Sequence, residues 1–178
     1  HENAVLYLNS FLVVRGIPLL IPENKMKSVL LLAGLLMTTA VSAFEQLYVD
    51  RLMTTKICHH CNLADADLQD HNFSGADMSE ALLKRINLSG AKLVGAWFTR
   101  SRIHDANFEN ADLSTALLDY SLLIGANLRG VNFSGAKLNF ADLTDADLTG
   151  ATMEDAVIRG VKFCNTTMPD GSINNSGC

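Results

Sequence analysis

The sequence has few aromatic residues, few prolines and little charge. Aromatic residues make up 7% of the 178 positions and charged residues 19%, and there are three prolines and twelve glycines. So little proline and glycine argues against a collagen-like or disordered chain. The formal net charge of −5 argues against a general nucleic-acid binder, which needs a basic face to neutralise phosphates.

Cysteine is also scarce, and most of the hydrophobic residues are aliphatic. Four cysteines are too few to replace a hydrophobic core with a disulfide scaffold in a chain of this length. Hydrophobic residues make up 48% of the sequence, including 19 alanines and 27 leucines. These values predict one mildly acidic domain with an aliphatic core, with or without a targeting segment.

Residues 26–43 are organised as an export signal. Lys25 and Lys27 flank Met26, and an apolar run over 29–37 and small residues ending at Ala43 follow in the order of a secretory signal peptide. We therefore predict a signal peptide over 26–43. A membrane anchor is disfavoured, because the run is shorter than the about twenty residues that span a bilayer. Residues 1–25 precede this start signal, and we predict that they are upstream, non-native translation.

A five-residue pattern runs without insertion from residue 61 to residue 168. A large apolar residue, designated position i, recurs in 22 consecutive repeats from Leu63 to Met168. Position i−2 is alanine in 14 repeats, position i−1 is aspartate or asparagine in 11, and position i+2 is glycine in eight. The segment Ala66-Asp67-Leu68 is typical. A register of this length does not arise by chance.

The period of five excludes a helix and predicts short extended segments joined by corners. A helix with 3.6 residues per turn would distribute a period of five around its whole surface. In an extended segment, positions i−2 and i share a face while i−1 points away. The next i−2 must also face inward, so the chain has to turn within every five residues. Repeated winding of this kind gives a solenoid whose coils hydrogen-bond to one another.

The pattern resembles the pentapeptide-repeat family, whose consensus is A-[DN]-L-x-x, over residues 61–168. The resemblance implies an all-β solenoid, a right-handed quadrilateral β-helix with twenty residues per coil. On that basis the repeats make about 5.5 coils, a rod roughly 26 Å long at the spacing of neighbouring strands. His71 and Ile86 are bulky for the alanine column at position i−2, so we expect local widening there.

Both ends of the solenoid are predicted to be capped, because an open end exposes unpaired strand edges. Residues 44–57 are assigned to a short N-terminal capping helix, residues 58–168 to the β-helix and residues 169–178 to a C-terminal capping tail. The apolar stripe of the helix consists of Phe44, Leu47, Tyr48, Leu52 and Met53. In line with exported members of the family, we predict a Cys164–Cys178 disulfide that folds the tail over the last coil.

The segment Cys58-His59-His60-Cys61 has three possible roles. The favoured one is structural, a Cys58–Cys61 disulfide or a packed cysteine pair that fastens the helix to the first coil. A metal site could recruit Cys58, Cys61, His60 and His71, which is expected to face the interior of the first coil. A redox role is the third, although the βαβ context of thioredoxin-like motifs is absent. Haem attachment is excluded because residue 62 is asparagine.

An outward apolar patch is the main candidate for a partner site. With twenty residues per coil, Trp97 stacks with Leu117 and Tyr120 with Phe140, and two more apolar residues lie on the next side. The predicted patch consists of Trp97, Leu117, Tyr120, Leu122, Ile124 and Phe140, rimmed by Arg100, Arg102 and Lys137. Such a patch is typical of a protein partner site or of a homodimer contact, and both remain open.

No catalytic or cofactor-binding motif is recognisable, and we expect neither an enzyme nor a cofactor. The sequence predicts a non-enzymatic protein, exported to the periplasm, the extracellular space or a thylakoid lumen, that acts as a rigid protein-binding or scaffolding surface. No nucleic acid is expected as a partner, and no membrane after signal cleavage. One alternative is a DNA-mimicking protein that binds topoisomerases, as fluoroquinolone-resistance members of the family do. Another is a metal or redox protein that uses Cys58 and Cys61.

Overall fold

The computed structural model describes residues 46–178, within a unit that spans Ala43–Cys178. The predicted upstream segment, the signal peptide and positions 44–45 of the predicted helix lie outside the described residues. The first element is a helix, α1, over 46–55, and the repeats begin directly after it. Within 46–178 no helix is long and apolar enough to cross a bilayer.

The repeats wind into a four-sided coil with a period of twenty residues. In each repeat, residue i−1 forms a parallel bridge with the residue twenty positions later, from Ile57 with Asp77 to Asp147 with Thr167. Backbone N–H groups donate to carbonyl oxygens of the neighbouring coil, as in the 2.8 Å bond from Leu63 to Leu82. Each side is so short that it contributes one bridge residue. These ladders confirm the predicted quadrilateral solenoid.

Tight turns form the corners. At most of them the N–H of the next i−2 residue donates back to the carbonyl of residue i, as from Ala66 to Leu63 at 3.2 Å. The residue at i+2 has a positive φ, near 65° at Gly95 and near 60° at Tyr120. The left-handed conformation favours glycine, which explains the glycines at this position of the repeat. Many residues with side chains also adopt this conformation, among them Glu80, Thr115, Tyr120 and Phe140.

The core consists of two kinds of inward side chain, large residues at i and small residues at i−2. From Met78 to Leu148 every position i is fully buried. Ser101 and Ser121 replace alanine without leaving a buried hydroxyl unpaired. Each donates to the carbonyl oxygen three residues earlier, at 2.5 Å and 2.7 Å respectively. The core therefore tolerates a polar substitution where the backbone supplies an acceptor.

Helix α1 covers part of the N-terminal end. Leu52 is fully buried and Tyr48 packs against the core, but Leu47 is 58% exposed and Met53 is 48% exposed. The predicted apolar stripe was therefore too broad. Because only one edge of so short a helix can contact the coil, residues a turn away from Leu52 remain in solvent.

The expectation that His71 faces a closed interior was wrong. Its side chain is exposed, with Nδ1 2.7 Å from the carbonyl oxygen of Gln69 and the ring stacked 5.8 Å from that of Phe73. His71 lies in the first coil, where no full coil precedes it, so its side chain stays in contact with water.

The C-terminal tail folds back over one part of the last coil. Strand β1, Thr166–Thr167, pairs antiparallel with strand β2, Ile173–Asn174. The N–H of Gly177 donates to the carbonyl of Phe163 at 2.6 Å. The tail does not reach Ile158, which occupies position i yet is 43% exposed. The predicted cover of the last coil is thus only partial.

Candidate protein-binding surface

One side of the coil carries a ladder of hydrogen-bonded amides. Asn127 donates from Nδ2 to Asn107 at 3.0 Å, Asn107 to Asn87 at 3.1 Å, and Asn87 to Asp67 at 2.8 Å. The next side repeats the arrangement where Asn132 donates to Asp112 at 3.1 Å. Oxygens of these side chains also accept turn N–H groups, as at Ser89 and Ser134. The repeated Asp and Asn residues therefore support the turns and the stacking of coils.

The two other sides carry the predicted apolar patch. Trp97 and Leu117 form one parallel bridge pair, and Trp97 is 50% exposed. Leu122 and Ile124 follow on the adjoining side and corner, both half-buried. We call the six residues of this surface the apolar face: Trp97, Leu117, Tyr120, Leu122, Ile124 and Phe140. The twenty-residue coil brings them together on two adjacent sides.

The corner between these two sides carries a stacked column of side chains. The rings of Tyr120 and Phe140 lie 5.1 Å apart at an interplanar angle of 15°, and both are about half exposed. The guanidinium of Arg100 lies 6.0 Å from the centroid of the Tyr120 ring. Gly160 follows Phe140 in the column, and a Cβ at that position would lie 2.7 Å from the Phe140 ring. The absence of a side chain at Gly160 therefore makes room for the ring.

A shallow groove runs along this column. Its lining consists of Thr99, Arg100, Asp119, Tyr120, Asn139, Phe140 and Arg159. Asp119 is engaged within the protein, since its Oδ1 accepts from the backbone N–H and the Nδ2 of Asn139 at 2.9 Å and 2.6 Å. In the part of the chain that the structure describes, neither Arg100 nor Arg159 forms an ion pair. The groove thus combines aromatic surface with two arginines that form no ion pair with the described residues.

Sequence reasoning missed several members of this surface. Arg159 follows Asn139 by one coil, and the twenty-residue spacing could have identified it. The same spacing leads to Ile57 and Val157 on the side of Trp97, and to Leu82 on the side of Leu122. These three residues are 50%, 44% and 39% exposed, respectively. The apolar surface therefore extends over more coils than predicted.

Asp142, the bridge partner of Leu122, borders the apolar face and has a perturbed carboxyl group. Partial burial disfavours its ionisation, but Thr144 donates to it from both hydroxyl and N–H, and Lys162 lies 3.1 Å away. The hydrogen bonds and the ammonium outweigh burial, so the pKa of Asp142 is lowered from its usual value. The lowered pKa favours the ionised carboxylate, and its oxygens are bonded to Thr144 and Lys162 of the same chain.

The predicted metal-ligand set is not assembled. The Sγ atoms of Cys58 and Cys61 lie at disulfide-bonding distance, 2.07 Å, so neither sulfur is a free thiolate. His71 points into solvent, and the Nδ1 of His60 lies 3.5 Å from a carboxylate oxygen of Glu80. The Sγ atoms of Cys164 and Cys178 are likewise at bonding distance, 2.08 Å. These positions suit the structural role assigned to the cysteines and remove them as metal ligands.

Comparison with known proteins supports the interpretation of the repeats. A family model described as Pentapeptide repeats matches residues 57–81, 81–119 and 126–165, in eight copies. No curated protein sequence matches the chain. Proteins of this family adopt the right-handed quadrilateral β-helix and are in general non-enzymatic structural or binding proteins.

Solved structures with this architecture include cyanobacterial and plant proteins. The pentapeptide repeat protein Rfr23 of the cyanobacterium Cyanothece 51142 is 26% identical, with a TM-score of 0.65 over 70% of this chain and 96% of its own. A thylakoid-lumen protein of Arabidopsis thaliana is 30% identical, with a TM-score of 0.33 over 57% of this chain and 70% of its own. The plasmid-mediated fluoroquinolone resistance protein QnrB1 is 19% identical, with a TM-score of 0.36 over 60% of this chain and 59% of its own.

Proposed function

The chain belongs to the pentapeptide-repeat family, and we propose that it is an exported, non-enzymatic member that acts as a rigid protein-binding surface. The observation that carries this proposal is the concentration of exposed apolar residues on two adjacent sides of the coil. The other two sides carry hydrogen-bonded polar ladders. An apolar patch that is confined to two sides and rimmed by charged residues is suited to one docking orientation.

The exposure of the two aromatic residues, Tyr120 and Phe140, strengthens this proposal. Neither ring contributes to the buried core, since both are about half exposed. Their φ values of 60° and 58° lie in the left-handed region, but polar corner residues such as Glu80, Arg85 and Thr115 share this conformation. The exposed stacked rings, and not their backbone conformation, therefore suit a role at the surface.

The charge of the groove suggests the chemistry of the partner. Arg100 and Arg159 bring two positive charges to a chain whose formal net charge is −5. Arginine beside aromatic surface is typical of the centre of protein interfaces. We therefore propose a protein partner that presents an apolar side chain next to acidic residues.

Export rests on the sequence and on the cysteines. The signal-peptide pattern over 26–43 and the two cysteine pairs at bonding distance both suit an oxidising compartment, where disulfides persist. The DNA-mimicking alternative requires a protein that stays in the cytoplasm, because its target is cytoplasmic. A reporter fusion retained in the cytoplasm would favour that alternative and contradict the proposal.

Affinity capture from the exported compartment tests the binding surface. The variant Leu117→Glu with Tyr120→Glu places two negative charges on the apolar face. The control variant Gln69→Glu with Thr152→Glu adds the same charge at exposed positions on the polar sides. We expect the control to retain the partner recovered by the wild type and the face variant to lose it, with unchanged far-UV circular dichroism.

The same variants distinguish a partner from a homodimer. Sedimentation equilibrium of the purified wild type is expected to give a monomer, because the proposed occupant is a different protein. A dimer that the face variant dissociates would assign the apolar face to self-association. Partner recovery that is equal for the face variant and the control would refute the proposed site.

A further inference from the structure

A second cluster of functional side chains lies two coils away from the aromatic pair, at the N-terminal end of the same corner. His59 and His60 occupy the turn of the segment 58–61, and Glu80 occupies the same corner one coil later. All three residues are exposed. The apolar face does not include them, and the structural role of the cysteines does not require them.

The backbone holds the cluster in place. The pair Cys58 and Cys61 brackets the turn, which is also closed by a 3.1 Å bond from the N–H of Cys61 to the carbonyl of Cys58. The N–H of His60 donates to the carbonyl of Ser79 at 3.1 Å, next to Glu80 in the chain. The histidine turn and the carboxylate are therefore tied together by the coil itself.

The donor atoms already lie close to one another. One ligand atom of each of His59, His60 and Glu80 can be chosen so that all three fall within 4.8 Å of one another. The distance from Nδ1 of His60 to the nearest Glu80 oxygen is 3.5 Å, and the two imidazole centroids are 3.9 Å apart. Ligands of a tetrahedral zinc ion, bound at 2.0–2.2 Å, are about 3.4 Å apart. All three side chains are exposed, so rotation toward that spacing meets no packed neighbour in a core.

We propose that His59, His60 and Glu80 bind one divalent transition-metal ion, with Zn²⁺ as the reference ion. Two imidazoles and a carboxylate suit Zn²⁺, Cu²⁺ or Ni²⁺ and do not suit Ca²⁺ or Mg²⁺, which prefer six or more oxygen ligands. Three protein ligands leave a coordination position for water. Among the described residues, no lysine or arginine lies within ion-pair distance of Glu80, so none competes for its oxygens.

The direct test is a Zn²⁺ titration of the full chain without a polyhistidine tag, stripped with chelator and kept oxidised. The test variants are His59→Ala, His60→Asn and Glu80→Gln. Asparagine is used at position 60 because it tolerates the positive φ of 60° found there. His71→Ala and His104→Ala are the matched controls, since each removes one imidazole outside the cluster.

We expect one Zn²⁺ per chain, at least tenfold weaker binding in each test variant, and unchanged binding in both controls. With Cu²⁺, electron paramagnetic resonance should show coupling to two imidazole nitrogens in the wild type and to one in His59→Ala. Ca²⁺ should not compete. The proposal is overturned if the wild type binds no Zn²⁺, if the three test variants bind as well as the wild type, or if a control loses binding to the same extent.

Discussion

Gly160 gives a sensitive test of the aromatic column, because its missing side chain leaves room for Phe140. We consider Gly160→Ala against Gly150→Ala. The two glycines have similar φ values, 67° and 71°, and both lie at position i+2 of a corner. A Cβ at position 150 would meet nothing within 4 Å, whereas one at position 160 would lie 2.7 Å from the ring of Phe140. The pair therefore separates the backbone cost from the contact with the ring.

The backbone cost is common to both variants. An alanine in the left-handed region costs roughly 1–2 kcal/mol, and the lower entropy of the unfolded chain offsets about 0.4–1 kcal/mol of this. Gly150→Ala should therefore lower the free energy of unfolding by about 1 kcal/mol. Gly160→Ala must also displace Phe140 and so loses its stacking on Tyr120, about 0.5–1.5 kcal/mol more. We expect a total loss of roughly 2 kcal/mol.

Urea unfolding followed by far-UV circular dichroism measures the difference between the variants. Near-UV circular dichroism should change for Gly160→Ala only, because Tyr120 loses its stacked neighbour. Partner binding should weaken for Gly160→Ala and not for Gly150→Ala, whose corner lies on the polar half of the coil. Equal unfolding free energies together with identical near-UV spectra would refute the described seating of Phe140.

Three further predictions concern the core, the tail and the carboxylates. In urea unfolding, Leu118→Ala should lower the free energy of unfolding by about 2–5 kcal/mol, because Leu118 is a core residue. Its outward neighbour is Leu117, and Leu117→Ala should lower it by about 1 kcal/mol or less. Equal losses would contradict the inward register of Leu118. Cys164→Ser should lower the free energy of unfolding by about 3 kcal/mol in oxidising buffer, because the bond to Cys178 closes a loop of about 15 residues. Four titratable thiols in the oxidised wild type would contradict the presence of this disulfide. Because the folded pKa of Asp142 is lowered, its stabilising contribution is present above its unfolded pKa, about 3.9, and is lost as pH falls through the folded value. Asp142→Asn should therefore lose less stability than the wild type on acidification. If the unfolding free energies of the two proteins fall in parallel with pH, the ionised Asp142 carboxylate does not stabilise the fold.

The repeat alone predicted a solenoid, for a physical reason. Each five-residue unit contains two inward positions, one outward position and a corner, so a conformation that suits Ala126-Asn127-Leu128 suits every other unit. The four sides and the twenty-residue coil were implied by the family resemblance, because a period of five does not define the number of sides. The twenty-residue stacking then predicted the pairs Trp97 with Leu117 and Tyr120 with Phe140, which the structure shows.

The ends were predicted less well because they break the repeat. His71 has the register of an inward residue, yet no full coil precedes it and its side chain is exposed. Ile158 has the register of a core residue but is 43% exposed, because the tail covers another part of the coil. The twenty-residue spacing could have placed His60 beside Glu80, whereas the approach of His59 depends on side-chain directions that periodicity does not define.

Radical footprinting of the aromatic side chains tests the central claim most directly. Trp97, Tyr120 and Phe140 are 50%, 52% and 48% exposed, so all three should be readily oxidised in the free protein. In the complex with the captured partner, their oxidation should fall several-fold, while Met53, 48% exposed at the N-terminal end, should react as before. Unchanged oxidation of the three aromatic residues in the complex would contradict the assignment of this face as the partner site.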